Sequence, residues 1–329
     1  MLKKIYSKVF KMFDKKHLKQ RLKEHAETPS DLVGQLDILY GQDKVNNIFD
    51  VYYPKNMQNG KLPTIINIHG GGYVAGIKEN CSKYCQLLAQ KGYLVINMEY
   101  TKSETKGFPT PVYETFELFE YLKSNDEISK HINYDKLFLS GDSAGGHIAT
   151  LVANILKSDD LKKRFDVESD IKVKGLILNS PVFGVFKFGK LRFLRNKLEE
   201  IVYNEYNRDS IKNVCNNLEL LNRDFPPCII FSAITDVLNI HTTILLNKAK
   251  NLGLSIHNYH FITGKNVGHD FTIVYPDGKE GKFAIEKTKE FINDVCNNSL
   301  ERKVEKISVS LLKNKALQNT SMPQKSIEK

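Results

Sequence analysis

Six consecutive residues, Gly141-Asp142-Ser143-Ala144-Gly145-Gly146, carry the strongest chemical signal in the chain. They follow the apolar run Leu137-Phe138-Leu139 and lead into a helical pattern, His147–Leu156. A strand, a tight turn and a helix in that order present one side chain at a strained corner. Glycines on either side let strand and helix approach closely, and small Ala144 avoids a clash. Ser143 then sits above the carboxyl ends of the strands, at a helix N-terminus whose partial positive charge favours a developing anion. The chemistry this suits is nucleophilic attack by an activated hydroxyl. The alternative, a glycine-rich phosphate-binding turn, lacks both the lysine of a P-loop and the GxGxxG spacing. A second signal is His69-Gly70-Gly71-Gly72-Tyr73, at the end of the run Thr64–Ile68. Three glycines leave backbone N–H groups free to point into a site, which a tetrahedral oxyanion needs. Taken alone, the same run reads equally as a flexible glycine loop.

Both signals need a scaffold of strands. Gln35–Tyr40 and Asn47–Tyr53, separated by Gly41-Gln42-Asp43, read as a hairpin-like pair. Short apolar runs follow at Leu62–Ile68, Tyr93–Met98, Leu137–Leu139, Val173–Leu178, Cys228–Ser232 and Ile256–Phe261. Most are continuous rather than alternating, as strands buried on both faces of a parallel sheet should be. Helical patterns lie between them, at about 79–91, 110–124, 144–157, 238–252 and 280–297. This alternation predicts an α/β fold with a parallel sheet. Between Pro181 and Pro226 the rhythm breaks into a charged, helical stretch too long for a simple connection, which reads as an insertion above the sheet.

Composition narrows the class. The chain has 329 residues, 41% hydrophobic and 26% charged, which excludes wholesale disorder and collagen-like or coiled-coil architecture. The five cysteines are too sparse for a disulfide framework. Cys81 and Cys85 would lie one helical turn apart, but no second ligand pair accompanies them, so buried thiols are expected rather than a metal site. The formal net charge is +10, yet it sits at the ends. Residues 1–24 hold nine Lys/Arg and two acids, residues 299–329 hold seven and three, and the body between them sums to −1. A nucleic-acid-binding body is therefore not expected. Lys3, Lys4, Lys8, Lys11 and Lys15 leave no apolar core for a signal peptide. On a helical wheel, Leu2, Ile5, Tyr6, Val9, Phe10, Met12 and Phe13 fall within about 160°, opposite a lysine face. This basic amphipathic helix either docks on its own protein or binds an anionic membrane surface through residues 1–24. The protein is expected to be cytoplasmic, peripheral at a membrane surface on the second reading. Residues 299–329 read as a polar tail with at most one weak helix. Oligomeric state is not readable.

HGGG followed about 70 residues later by GDSAGG resembles the hormone-sensitive-lipase-like branch of the α/β-hydrolase superfamily, the carboxylesterases and lipases. The resemblance covers roughly residues 35–298. It implies a mostly parallel eight-stranded sheet with helices on both faces and a helical cap, for which the insertion at about 182–225 is the candidate; the basic arm over residues 1–34 lies outside the match and is a candidate lid part, since helices near the N-terminus commonly join the lid in that family. It also implies a triad in the order Ser, acid, His. Ser143 would be the nucleophile, and the backbone N–H groups of Gly71, Gly72 and Ala144 the oxyanion hole, with His69 and Gly70 bracing the loop. Asp236, in Ile234-Thr235-Asp236-Val237-Leu238, matches the family's Asp-x-Leu segment; its other reading is a cap for the helix at 238–252. Asp224 and Asp209 lie before the strand or in the insertion and are weaker. His269, in Gly268-His269-Asp270-Phe271, matches the terminal Gly-His-x-Phe pattern, whereas His257, His260 and His147 read as structural. No metal or organic cofactor is implied, and the partner is a small-molecule ester of small or medium acyl group. Two rivals remain on the same fold: a serine peptidase or amidase, and a non-catalytic small-molecule receptor.

Overall fold

The computed structural model describes residues 19–57, 60–184, 202–203, 215–264 and 266–311. A nine-stranded sheet runs in the order β1-β2-β4-β3-β5-β6-β7-β8-β9. The strands are β1 Leu32–Leu39, β2 Ile48–Pro54, β3 Leu62–Ile68, β4 Leu94–Met98, β5 Ile132–Asp142, β6 Val173–Asn179, β7 Cys228–Ala233, β8 Ile256–Thr263 and β9 Val304–Ser310. β1 and β2 pair antiparallel, and β2 runs antiparallel to β4. Every other pairing is parallel.

The helices are α1 over 19–26, α2 Ser82–Ala89, α3 Thr110–Ser124, α4 Asp126–Ser129, α5 Ser143–Leu156, α6 Asp159–Phe165, α7 Asn217–Leu220, α8 Asn239–Leu252, α9 Phe271–Val274 and α10 Lys279–Cys296. They cover both faces. Strand side chains alternate between faces, so neighbours on one strand feed different cores. Ile66 and Leu139 join the core that includes α3, α5 and α6, while Ile65 and Phe138 join the core that includes α2 and α10. All fourteen residues of α5 are buried, as a helix sandwiched between the sheet and other helices must be. Local signals mark several ends. The Ser158 side chain accepts from Leu161 N–H at the start of α6, and Gly253, at φ 62°, closes α8 in the left-handed conformation.

Two expectations change. The sheet has nine strands rather than eight, because residues 304–310, expected within a polar tail, add β9 alongside β8. An edge strand solvated on one face needs few apolar residues, and VEKISVS supplies only three. Residues 312–329 lie outside the described residues, as do residues 1–18 with most of the amphipathic pattern, and 185–201 and 204–214 within the expected cap.

The described end of the arm is tied to the body. Lys78 is wholly buried, and its Nζ donates to Asp50 Oδ1 at 2.7 Å and pairs with Asp37 Oδ1 at 2.7 Å. His25 Nε2 of α1 lies 3.1 Å from Asp50 Oδ2 and 3.2 Å from the same ammonium. His25, Asp37 and Asp50 could converge on a metal ion, but the lysine ammonium already stands among them. Gln86 of α2 also donates to the Glu24 carbonyl. Four cysteines are buried and Cys296 is partly so, which agrees with the thiol reading. No helix among the described residues is long and apolar enough to cross a membrane.

Candidate active site

Ser143 begins α5 directly after β5 and holds φ at 47°, a left-handed conformation rare for a residue with a side chain. The turn closes only because its neighbours lack side chains. A Cβ on Gly141 would lie 2.5 Å from the Gly145 carbonyl, and one on Gly145 would lie 2.0 Å from the Ile68 carbonyl oxygen. The helix therefore starts against the end of β3, where the His69–Tyr73 loop leaves the sheet.

The sequence-predicted side chains meet here. His269 Nε2 lies 3.1 Å from Ser143 Oγ, and His269 Nδ1 lies 3.0 Å from Asp236 Oδ2. Ser143 and Asp236 are each 5% exposed, whereas the His269 side chain is 37% exposed and forms the open side of the site. Asp236 also fulfils its other reading in part: Oδ1 accepts the Leu238 N–H at 2.9 Å in the turn before α8, leaving Oδ2 for the imidazole. Burial pushes its carboxyl up, but the His269 hydrogen bond and charge, with Leu238 N–H and Ser180, bring it below the ordinary value. For His269 burial favours the neutral ring, yet Asp270 and Asp236 together hold its pKa well above the usual 6.5.

The glycine loop is braced from beneath. His69 stacks on Tyr100 with ring centres 4.2 Å apart, and its Nε2 lies 2.9 Å from Glu99 Oε1. Lys102 pairs with the same carboxylate, and Tyr100 Oη donates to the His69 carbonyl at 2.9 Å. Burial would raise the Glu99 pKa, but His69 and Lys102 carry it down to about 2. Gly71 and Gly72 sit at φ 123° and 60°, which only glycine adopts readily. Among the described residues no backbone acceptor takes the N–H of Gly71, Gly72 or Ala144.

The other histidines hold structure together. His147 lies 2.8 Å from Tyr73 Oη and 2.7 Å from the Cys215 carbonyl, and burial lowers its pKa to about 4, so it stays neutral. His260 meets Ser232 within the sheet, and His257 meets Glu305 on β9. Asp224 is exposed, with no ion pair among the described residues, and Asp209 lies outside the described residues.

Sequence reasoning missed Glu99, Ser180 and Asp270. Ser180 Oγ accepts the Asp270 N–H at 3.0 Å and supports Asp236. Glu99 and Ser180 stand in no recognisable spacing, and Asp270 fills the variable position of the Gly-His-x-Phe pattern, which specifies no side chain there.

A serine at a strand-to-helix corner, above a mostly parallel sheet and facing an imidazole and a carboxylate from later loops, defines an α/β-hydrolase fold. Residues 49–249 match the BD-FAE family, and the chain belongs to it. Among curated proteins it is 23% identical over 224 residues to a putative alpha/beta hydrolase of Acanthamoeba polyphaga mimivirus, covering 66% of this chain and 63% of that protein. It is 27% identical over 166 residues to probable carboxylesterase 7 of Arabidopsis thaliana, covering 47% and 51%. The aligned region thus spans between half and two thirds of these relatives. Among solved structures, esterase B from Lactobacillus rhamnosis, inhibited by a tributyrin phosphonate, superposes with a TM-score of 0.79 at 21% identity. That superposition covers 90% of this chain and 96% of the esterase.

Proposed function

We propose that this chain is a serine carboxylic-ester hydrolase acting on small or medium acyl esters. The observation that carries the reading is His269 between two partners, 3.1 Å from Ser143 Oγ and 3.0 Å from Asp236 Oδ2. On this reading, Asp236 fixes the imidazole tautomer with the proton on Nδ1, leaving the Nε2 lone pair for the serine proton. Ser143 Oγ attacks the ester carbonyl, and the N–H groups of Gly71, Gly72 and Ala144 receive the oxyanion. His269 then protonates the leaving alcohol, and water hydrolyses the acyl-enzyme with the same histidine as base. The carboxylesterase names among the relatives support the ester class.

The test is a chain-length series of p-nitrophenyl esters, with the matching anilide beside the best of them, and fluorophosphonate labelling. Turnover of the esters, covalent labelling at Ser143, and loss of both in Ser143→Ala are expected. The loss of kcat should approach 10⁶, on the order seen when a triad member is removed. Faster cleavage of the anilide would turn the reading to an amidase, and absence of labelling to a non-catalytic receptor.

A further inference from the structure

The imidazole nitrogen that faces the serine also faces a second carboxylate. Asp270 Oδ2 lies 3.0 Å from His269 Nε2, beside Ser143 Oγ at 3.1 Å from the same atom. The contact is built rather than incidental. Asp270 holds a left-handed φ of 53°, its N–H donates to Ser180 Oγ, and Phe271 behind it is buried against Phe261 with ring centres 4.7 Å apart. Asp270 Oδ1 is buried without a hydrogen-bond partner among the described residues, so that oxygen has given up water to stand here.

We propose that Asp270 is a positioning residue for the ester hydrolysis: its carboxylate shares His269 Nε2 with Ser143, holds the ring when it is protonated, and sets the pH above which His269 can accept the serine proton. The inference rests on the serine-hydrolase reading of the site.

Nε2 serves one partner at a time. With the ring neutral and Nδ1–H donating to Asp236, the Nε2 lone pair accepts from Ser143 Oγ–H. With the ring protonated, Nε2–H donates to Asp270 Oδ2, and the serine has no base. Four charged or titratable groups bear on this equilibrium. Asp236 faces Nδ1 from the β7–α8 connection, and Asp270 faces Nε2 from the histidine's own loop. Asp142, at the end of β5, is pushed up to about 8 by burial and by Asp270, and accepts from Gly70 N–H and from Cys81 Sγ at 3.5 Å. Burial pushes the Asp270 carboxyl above its ordinary value, against the pull of His269 and the weaker one of Arg21 of α1. Two carboxylates touch the ring and, among the described residues, no cation does, so the imidazolium is favoured and the base form appears only at higher pH. A single adjacent carboxylate shifts a pKa by roughly 1–3 units.

The experiment is Asp270→Asn, which keeps the shape and tolerates a left-handed backbone. The pH profile of kcat/KM on a soluble p-nitrophenyl ester, and the pH dependence of fluorophosphonate labelling, report the base form of His269. The acid limb should move down by about one pH unit or more. Below the parent limb the variant should therefore be faster than the parent, a gain no merely structural role produces. An NMR titration of the His269 ring in a Ser143→Ala background should show the same fall on adding Asp270→Asn. This readout needs no turnover, so it decides the role of Asp270 even if the parent hydrolyses no ester. Asp270→Gly, also at ease with the backbone, serves if the asparagine variant does not fold. An unmoved limb together with an unmoved ring titration in a folded variant would overturn the proposal, as would an upward shift.

Discussion

Gly145→Ala tests the link between the nucleophile's helix and the oxyanion loop. An added Cβ would stand 2.0 Å from the Ile68 carbonyl oxygen and 2.6 Å from that of His69, both main-chain atoms. An unstrained carbon–oxygen contact is about 3.3 Å, so α5 and the end of β3 must separate by about 1 Å. Neither can yield freely: α5 is buried along its whole length, and Tyr100 Oη holds the His69 carbonyl from the other side. Overpacking of this kind costs about 1–3 kcal/mol. The displacement also carries Gly71 and Gly72 away from Ser143, and a 1 Å misplacement at a reacting centre costs about 100-fold. A fall of that size in kcat with a smaller change in KM is expected on a p-nitrophenyl ester, with a lower melting temperature. Gly146→Ala is the control. Its Cβ would meet the Pro181 Cβ at 2.9 Å, a milder contact than 2.0 Å to a carbonyl oxygen, so it should lose less. Parental kcat and melting temperature in Gly145→Ala would mean that α5 and the end of β3 do not approach this closely.

Asp236→Asn should leave the fold intact and slow ester turnover by roughly 10⁴, because the ring loses the anion that orients it; harm from Asp224→Asn instead, with Asp236→Asn harmless, would move the acid. Lys78→Met should destabilise by about 3–5 kcal/mol in chemical denaturation, since Asp50 would be left buried without its cation. Adding Asp50→Asn should recover part of that loss, and no recovery would mean that the two do not act as a pair. Glu99 has a folded-state value near 2 against an ordinary 4.5, so its contribution is intact above about 4.5 and is lost as pH falls toward 2. Glu99→Gln should flatten the acid-denaturation curve over that window while lowering stability at neutral pH; an unchanged slope would refute the assignment.

The nucleophile was legible in the sequence because a strained corner forces its glycines, and those glycines survive in the one-letter string as spacing. The central strands were legible for a similar reason, since burial on both faces leaves continuous apolar runs such as Leu62–Ile68. Two classes of feature were not. β9 alternates with charged residues on its solvated side and reads as polar tail. The supporting groups Glu99 and Ser180 act between segments far apart in the chain, and such pairings have no period; Asp270 adjoins His269, but nothing in the string says that its carboxylate turns back onto the ring. Lys78 shows the same limit: a lysine reads as surface until Asp37 and Asp50 are seen to converge on it from neighbouring strands.

The position of β9 has a consequence for the order in which the chain is made. Ser143, Asp236 and His269 all leave the ribosome before residues 304–310, so the site's side chains are present while β8 still has a bare flank. That flank offers the main-chain groups that later bind Val304–Ser310, along a strand containing Tyr259 and Phe261. Unpaired strand edges of this kind recruit other chains. A nascent or proteolytically clipped molecule ending near residue 300 should thus be prone to self-association, visible by light scattering.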